Sequence, residues 1–168
     1  MYLYVIRHAQ PDYDAPIPYH TPPGPGLTEA GRAQAAALAT LLSQAGIERV
    51  ASSPLRRCVE TATPLAESLG LALAIDADLR ESPPGEPLIE VRARMLRAAL
   101  ALSDTRVAAI VSHAAPLTEL LRALTHDEIV LPARDRRGNH LTECMIWALH
   151  NRGGRWRATH VPAEGIAC

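Results

Sequence analysis

The sequence predicts an α/β fold: a mostly parallel sheet covered by helices on both faces and finished by a C-terminal antiparallel hairpin. Three observations carry this expectation. Short apolar runs of strand length alternate along the chain with longer segments of helical periodicity. Gly and Pro mark most of the junctions between them. The last two strand-like runs, ECMIWALH and RWRATHV, are separated only by NRGG, which is a hairpin signature.

The elements follow in order. Tyr2 to Ile6 forms an apolar strand that ends abruptly in Arg7-His8, and a Pro- and Gly-rich loop runs from Pro11 to Gly26. Thr28 is a helix N-cap, after which Ala35, Leu38, Leu42 and Ala45 recur at helical spacing up to Gly46. Arg49 to Ser52 is a short strand. Ser53-Pro54 then reads as an N-cap with proline at the first helical position, and Leu55, Val59, Ala62, Ala66 and Leu69 form one face before Gly70. Leu71 to Ile75 is a third strand, followed by the turn-rich RESPPGEP and a helix bearing Leu88, Val91, Met95, Ala99 and Leu102. RVAAIVSH is the clearest strand; Pro116 and the face of Leu117, Leu120, Leu121 and Leu124 make the helix after it.

At 168 residues and 48% hydrophobic content, the chain suits one domain spanning 1–168. A formal net charge of -1 offers no large positive field, so no nucleic-acid partner is expected. All 17 basic residues are Arg, which lowers the information carried by any single one. Cys58, Cys144 and Cys168 are widely spaced and indicate neither a disulfide framework nor a zinc site. No run approaches a membrane span and no leader pattern opens the chain, so a soluble, cytoplasmic protein is expected.

Two strands end alike, in Arg7-His8 and in Ser112-His113. Each sets a histidine at the carboxyl edge of a parallel sheet, where open α/β folds collect their ligand groups. A third leads through Ser52-Ser53 to Arg56 and Arg57 in the first turn of a helix. A cation is unfavourable at that end of the dipole unless an anion is bound.

Taken in order, IRHAQ, LTEAGRAQA, SSPLRRCVETA, DLRES and VSHAA resemble the motif series of the histidine phosphatase superfamily, also called phosphoglycerate mutase-like, over roughly residues 2 to 124. The resemblance implies a three-layer α/β/α sandwich and phosphoryl transfer through a phosphohistidine. It implies His8 as the nucleophile, Arg7 and Arg57 as phosphate ligands, His113 as the second catalytic histidine and Glu81 as the proton donor. Arg56 falls on a variable position and is assigned to the surface. The sequence departs from the family pattern at Ala9, where Gly is usual, at Pro11 and Asp14 in the first loop, and at SPPGEP after the acid.

Two guanidinium forks and a second imidazole suffice to stabilise a transferring phosphoryl group, so no metal or other cofactor is expected. The implied activity is metal-independent hydrolysis of a small phosphorylated substrate, with a phosphoprotein as the other substrate class. Three alternatives remain: a phosphohistidine protein phosphatase, a phosphoglycerate mutase and a non-enzymatic phospholigand-binding domain. Typical mutases carry longer insertions that cover the site, typical phosphohistidine phosphatases lack the acid, and a pure binder has no need of His8. Oligomeric state is not legible. His20, His126, His140, His150 and His160 show no ligand spacing. Tyr19 and His20, and Asn139-His140, read as solvated loop residues, with approach to the substrate mouth as the alternative; the cluster Arg134, Arg136 and Arg137 reads as a solvated loop, and Trp147 and Trp156 as packing. The structural alternative for Glu81 is an ion pair with Arg80.

Overall fold

The computed structural model describes residues 1–162; Cys168 lies outside the described residues. Strand β1 (Tyr2–Arg7) is followed by helix α1 (Glu29–Leu42), β2 (Arg49–Ser52), α2 (Arg56–Ser68), β3 (Leu73–Ile75), a 3₁₀ turn at Ala77–Leu79, α3 (Leu88–Leu100), β4 (Val107–Ser112), α4 (Ala114–Leu124), β5 (Ile146–Arg152) and β6 (Arg155–Val161). The six strands form one sheet in the order β3-β2-β4-β1-β5-β6. The first four are mutually parallel, whereas β5 runs antiparallel to β1 and β6 antiparallel to β5, so the predicted hairpin closes one edge.

Hydrophobic burial explains the layers. Ile6, Val50, Ala109, Val111 and Ile146 on one face of the sheet pack against Leu38 and Leu42 of α1 and Ala62 and Leu65 of α2. Leu3, Val5, Ile110 and Leu149 on the other face pack against Val91 and Met95 of α3 and Leu117, Leu120 and Leu121 of α4. Central strands buried on both faces read as near-continuous apolar runs, which is the pattern of YVI and AAIV. No helix among the described residues is long and apolar enough to cross a membrane.

Three boundaries differ from the sequence expectation. Helix α2 starts at Arg56 with Leu55 in the capping position, not at Ser53-Pro54; the Ser53 hydroxyl is drawn instead to the imidazole of His113. Strand β3 is confined to Leu73–Ile75, because β2 offers it only the partners from Val50 to Ser52. Strand β5 begins at Ile146. Cys144, at φ 55°, breaks the preceding run, and its amide bonds the carbonyl of His8.

The register of the central strands positions the site. Arg7 of β1 lies opposite Ser112 of β4, and the His8 amide bonds the Ser112 carbonyl at 2.9 Å. His8 and His113 therefore leave adjacent parallel strands side by side. Helix α1 is docked close behind: the Gln10 carbonyl accepts from the amide of Thr28, whose hydroxyl caps the helix at the Gly31 amide. A Cβ at Gly31 would stand 2.1 Å from that carbonyl oxygen. Helical Gly→Ala ordinarily stabilises by about 1 kcal/mol. Gly31→Ala is expected to have the opposite sign, a loss of about 1–3 kcal/mol, measured as a lower urea midpoint at unchanged m-value.

Candidate active site

The carboxyl ends of β1, β2 and β4 and the turn after β3 converge on one cluster. The His8 and His113 rings meet edge to face, with centroids 5.2 Å apart. His8 Nδ1 lies 2.8 Å from the carbonyl oxygen of Ala9. That bond places the proton on Nδ1 and leaves Nε2 with its lone pair. His113 has the opposite arrangement. Arg57 Nη2 donates to its Nδ1 at 3.1 Å, so its proton resides on Nε2, 2.8 Å from Ser53 Oγ.

Both guanidinium groups are buried, Arg57 completely. Arg57 also donates to the Tyr19 carbonyl at 2.9 Å and stacks over the Tyr19 ring at 4.0 Å. Arg7 bonds the carbonyl of Leu141 and faces Glu143 at 3.4 Å and Asp135 at 3.8 Å. The Nε atoms of both arginines are buried with no hydrogen-bond partner among the described residues. Glu81 lies beside them, its Oε2 at 3.5 Å from His113 Nδ1 and 3.7 Å from Arg57 Nη2. It does not pair with Arg80, which binds Glu86 instead. All five residues singled out from the sequence, Arg7, His8, Arg57, Glu81 and His113, are thus brought together; Arg56 is exposed and pairs with Glu60.

The electrostatics follow from burial beside cations. Desolvation, then the charges of Arg57 and Arg7, hold the His8 pKa well below its usual value. Burial, then His8 and the arginines, does the same for His113. The Glu81 carboxyl moves upward because burial outweighs the Ser82 amide and the Arg57 charge that favour its ionised form. The Cys58 thiol, 3.5 Å from His113 Nε2, is pushed up to about 12 by burial. Among the described residues no group of three or more His, Cys, Asp or Glu is placed to hold a metal ion.

A pocket of about 310 Å³ opens from this cluster, lined in part by Arg7, Tyr19, Glu81, Ala114 and Arg137. Several groups here read as solvated loop residues in the sequence. Tyr19 stacks on Tyr13 with ring centroids 5.7 Å apart, and Arg137 lies 3.4 Å over the Tyr13 ring. The Tyr13 hydroxyl donates to Glu143 at 2.7 Å, and its pKa rises through burial and this bond. Asn139 and His20 also line the mouth. Only proximity to the His8 motif could have hinted at Tyr13 and Tyr19; nothing local marks Ser53, Asp135, Arg137 or Glu143, which long-range folding brings in.

Residues 3–83 match the family model of the histidine phosphatase superfamily (branch 1). This segment is that of a histidine phosphatase superfamily member. The matched segment contains Arg7, His8, Arg57 and Glu81, and His113 lies beyond it. An uncharacterized Mycobacterium tuberculosis protein is 42% identical over 80 residues, which are 48% of this chain and 40% of that protein. The glucosyl-3-phosphoglycerate phosphatase of the same species is 37% identical over 84 residues, 50% of this chain and 38% of its own length. These alignments span about two fifths of each curated relative. The solved structure of the mycobacterial glucosyl-3-phosphoglycerate phosphatase complexed with VO3 superposes with a TM-score of 0.77 over 95% of this chain and 97% of that one, at 24% identity. At that identity the likeness establishes the histidine phosphatase fold alone.

The buried imidazoles make stability depend on pH. Below the usual histidine value of 6.5 the unfolded chain takes up protons that His8 and His113, with lowered pKa, refuse in the fold. Unfolding free energy is therefore expected to fall on going from about pH 7.5 to 5.5, by up to about 1.4 kcal/mol per pH unit for each imidazole. Urea unfolding of the native protein and of His8→Gln checks this. The His8→Gln slope is expected to be the shallower.

Proposed function

We propose that this chain is a phosphatase that hydrolyses a small phosphomonoester through a phosphohistidine at His8, without a metal ion. The observation that carries the reading is the state of His8: a buried neutral imidazole, its Nδ1 bound to the Ala9 carbonyl and its Nε2 free, set among Arg7, Arg57 and His113. A neutral nitrogen nucleophile held in one orientation is what in-line attack on phosphorus needs.

In the proposed reaction Arg7 and Arg57 stabilise charge on the non-bridging oxygens, with His113 held beside them by Arg57 and Ser53 and the N-terminus of α4 starting immediately after it. Nε2 forms a bond to phosphorus as the bond to the alcohol oxygen breaks, and Glu81 delivers its proton to that oxygen. The raised pKa of Glu81 suits a group that must hold a proton before it gives it away. Ionised Glu81 then takes a proton from water as the water attacks the phosphohistidine, which returns phosphate and neutral His8.

Hydrolysis is favoured over mutase chemistry by the walls of the pocket. The connections at 8–28, 76–87 and 125–145 contain only a 3₁₀ turn and the isolated Pro11–Leu27 bridge, and exposed His20 and Arg137 line the mouth. The name of the relative that acts on glucosyl-3-phosphoglycerate supports a small phosphate ester as substrate. The buried free thiol of Cys58 is compatible with work in the reducing cytoplasm.

His8→Ala is expected to abolish turnover of p-nitrophenyl phosphate, and rapid-quench labelling of the native enzyme to give an acid-labile, base-stable phosphoramidate on His8. Label on Ser, Thr or Asp would overturn the mechanism. Glu81→Gln is expected to slow phosphoenzyme formation from an alkyl phosphate by about 10²–10⁴. The same variant should leave p-nitrophenyl phosphate little changed, because p-nitrophenolate departs without a proton. Comparing single-turnover rates on the two substrates measures the difference.

A further inference from the structure

Glu81 sits in an irregular segment, and an element on the far side of that segment holds it. Residues 80–87 form neither helix nor strand, and they include Pro83, Pro84 and Gly85 at φ +86°. Their local bonds are few: the Arg80 amide to the Ala77 carbonyl at 3.2 Å, the Glu86 amide to the Pro83 carbonyl at 3.1 Å, the Ser82 amide to Glu81 Oε1 at 3.0 Å and Arg80 Nη2 to Glu86 Oε1 at 2.6 Å. The largest set of contacts on the segment comes from Arg94, in the middle of α3 and only 2% exposed.

Every nitrogen of the Arg94 guanidinium is engaged. Nη1 donates to the carbonyls of Asp78 at 2.6 Å and Arg80 at 2.8 Å. Nη2 donates to Ser82 Oγ at 3.1 Å and Glu86 Oε2 at 2.8 Å, and Nε to Glu86 Oε1 at 2.9 Å. The partners flank Glu81 on both sides, Arg80 immediately before it and Ser82 immediately after. The bidentate pair with Glu86 fixes the plane of the fork, and the fork then sets the two neighbouring residues.

We propose that Arg94 is the positioning residue of Glu81: it fixes the chain on either side so that the carboxyl faces His113 and the departing oxygen. The proposal rests on the reading of Glu81 as proton donor. The fork bonds the segment around Glu81 and none of His8, Arg57 and His113; it acts on His113 only as a distant charge. Its main effect is therefore on the step that Glu81 performs, and a single ammonium cannot reproduce the five contacts of the fork.

Two changes test it. Arg94→Met combined with Glu86→Gln removes the clamp without stranding a buried carboxylate. Arg94→Lys keeps the buried charge and is the variant to read where the double change does not fold. Each is assayed for phosphoenzyme formation on an alkyl phosphate and on p-nitrophenyl phosphate, alone and combined with Glu81→Gln. The expected result is an alkyl-selective loss of about 10- to 100-fold, with little further loss when Glu81 is already Gln. Equal losses on both substrates, or losses that add fully to those of Glu81→Gln, would reduce Arg94 to a support of the fold and overturn the proposal. If Glu81→Gln is alkyl-selective and the clamp variants match the native enzyme, this inference alone falls. If Glu81→Gln itself shows no selectivity, the proton-donor role and this inference fall together, while labelling of His8 separately decides the phosphohistidine.

Discussion

Two cations buried at one sheet edge set the terms for the rest of the molecule. Taking a guanidinium out of water costs several kcal/mol unless its donors and charge are met within the protein. Arg57 is met by the Tyr19 carbonyl, the Tyr19 ring, His113 and Glu81, and Arg7 by the Leu141 carbonyl, Glu143 and Asp135. The compensation is incomplete, since neither Nε atom has a hydrogen-bond partner among the described residues. Proteins retain such an arrangement where an anion is to be held, and burial, reinforced by the same charge, keeps the neighbouring imidazoles neutral. The charge that would bind a phosphoryl group thus adds to burial in keeping the proposed nucleophile in its reactive form.

The buried arginines tie the loops to the sheet. Arg137, Tyr13, Tyr19 and Arg57 form a column across the mouth, cation on ring on ring on cation. Tyr13 also bonds Glu143, which faces Arg7. Three segments remote in sequence, around residues 13–20, 57 and 137–143, therefore hold one another through the two guanidinium groups. The segment that carries Glu81 is organised in the same way, around the buried guanidinium of Arg94. Arginine suits these places because a planar fork with several donors can gather carbonyls and carboxylates from different segments at once.

How much of this was legible in the sequence depended on the range of the interaction. The strand ends at Arg7-His8 and Ser112-His113 stood out because an apolar run that stops on a cation or an imidazole is a local anomaly, and β1 and β4 pair in parallel register beside each other. Tyr19 and Arg137 carried no such signal. A tyrosine in a proline-rich loop and an arginine in a basic cluster look solvated until the fold sets one on Arg57 and the other on Tyr13. The Ser53-Pro54 cap failed for a related reason, since the Ser53 hydroxyl serves His113 from another strand.

The sequence by itself determined the α/β order of elements, the strand-end placement of the histidines and the candidate cluster Arg7, His8, Arg57, Glu81 and His113. These follow from short-range periodicity, from capping and turn chemistry, and from an ordered series of local motifs. The tertiary structure alone decided which imidazole nitrogen is free, that Glu81 faces His113 while Arg80 turns to Glu86, and that Arg94 holds the segment between them. Hydrogen-bond partners and desolvation are set by groups up to a hundred and more residues away, as in the contact of Arg7 with Leu141. Local sequence has no term for a neighbour that only folding supplies.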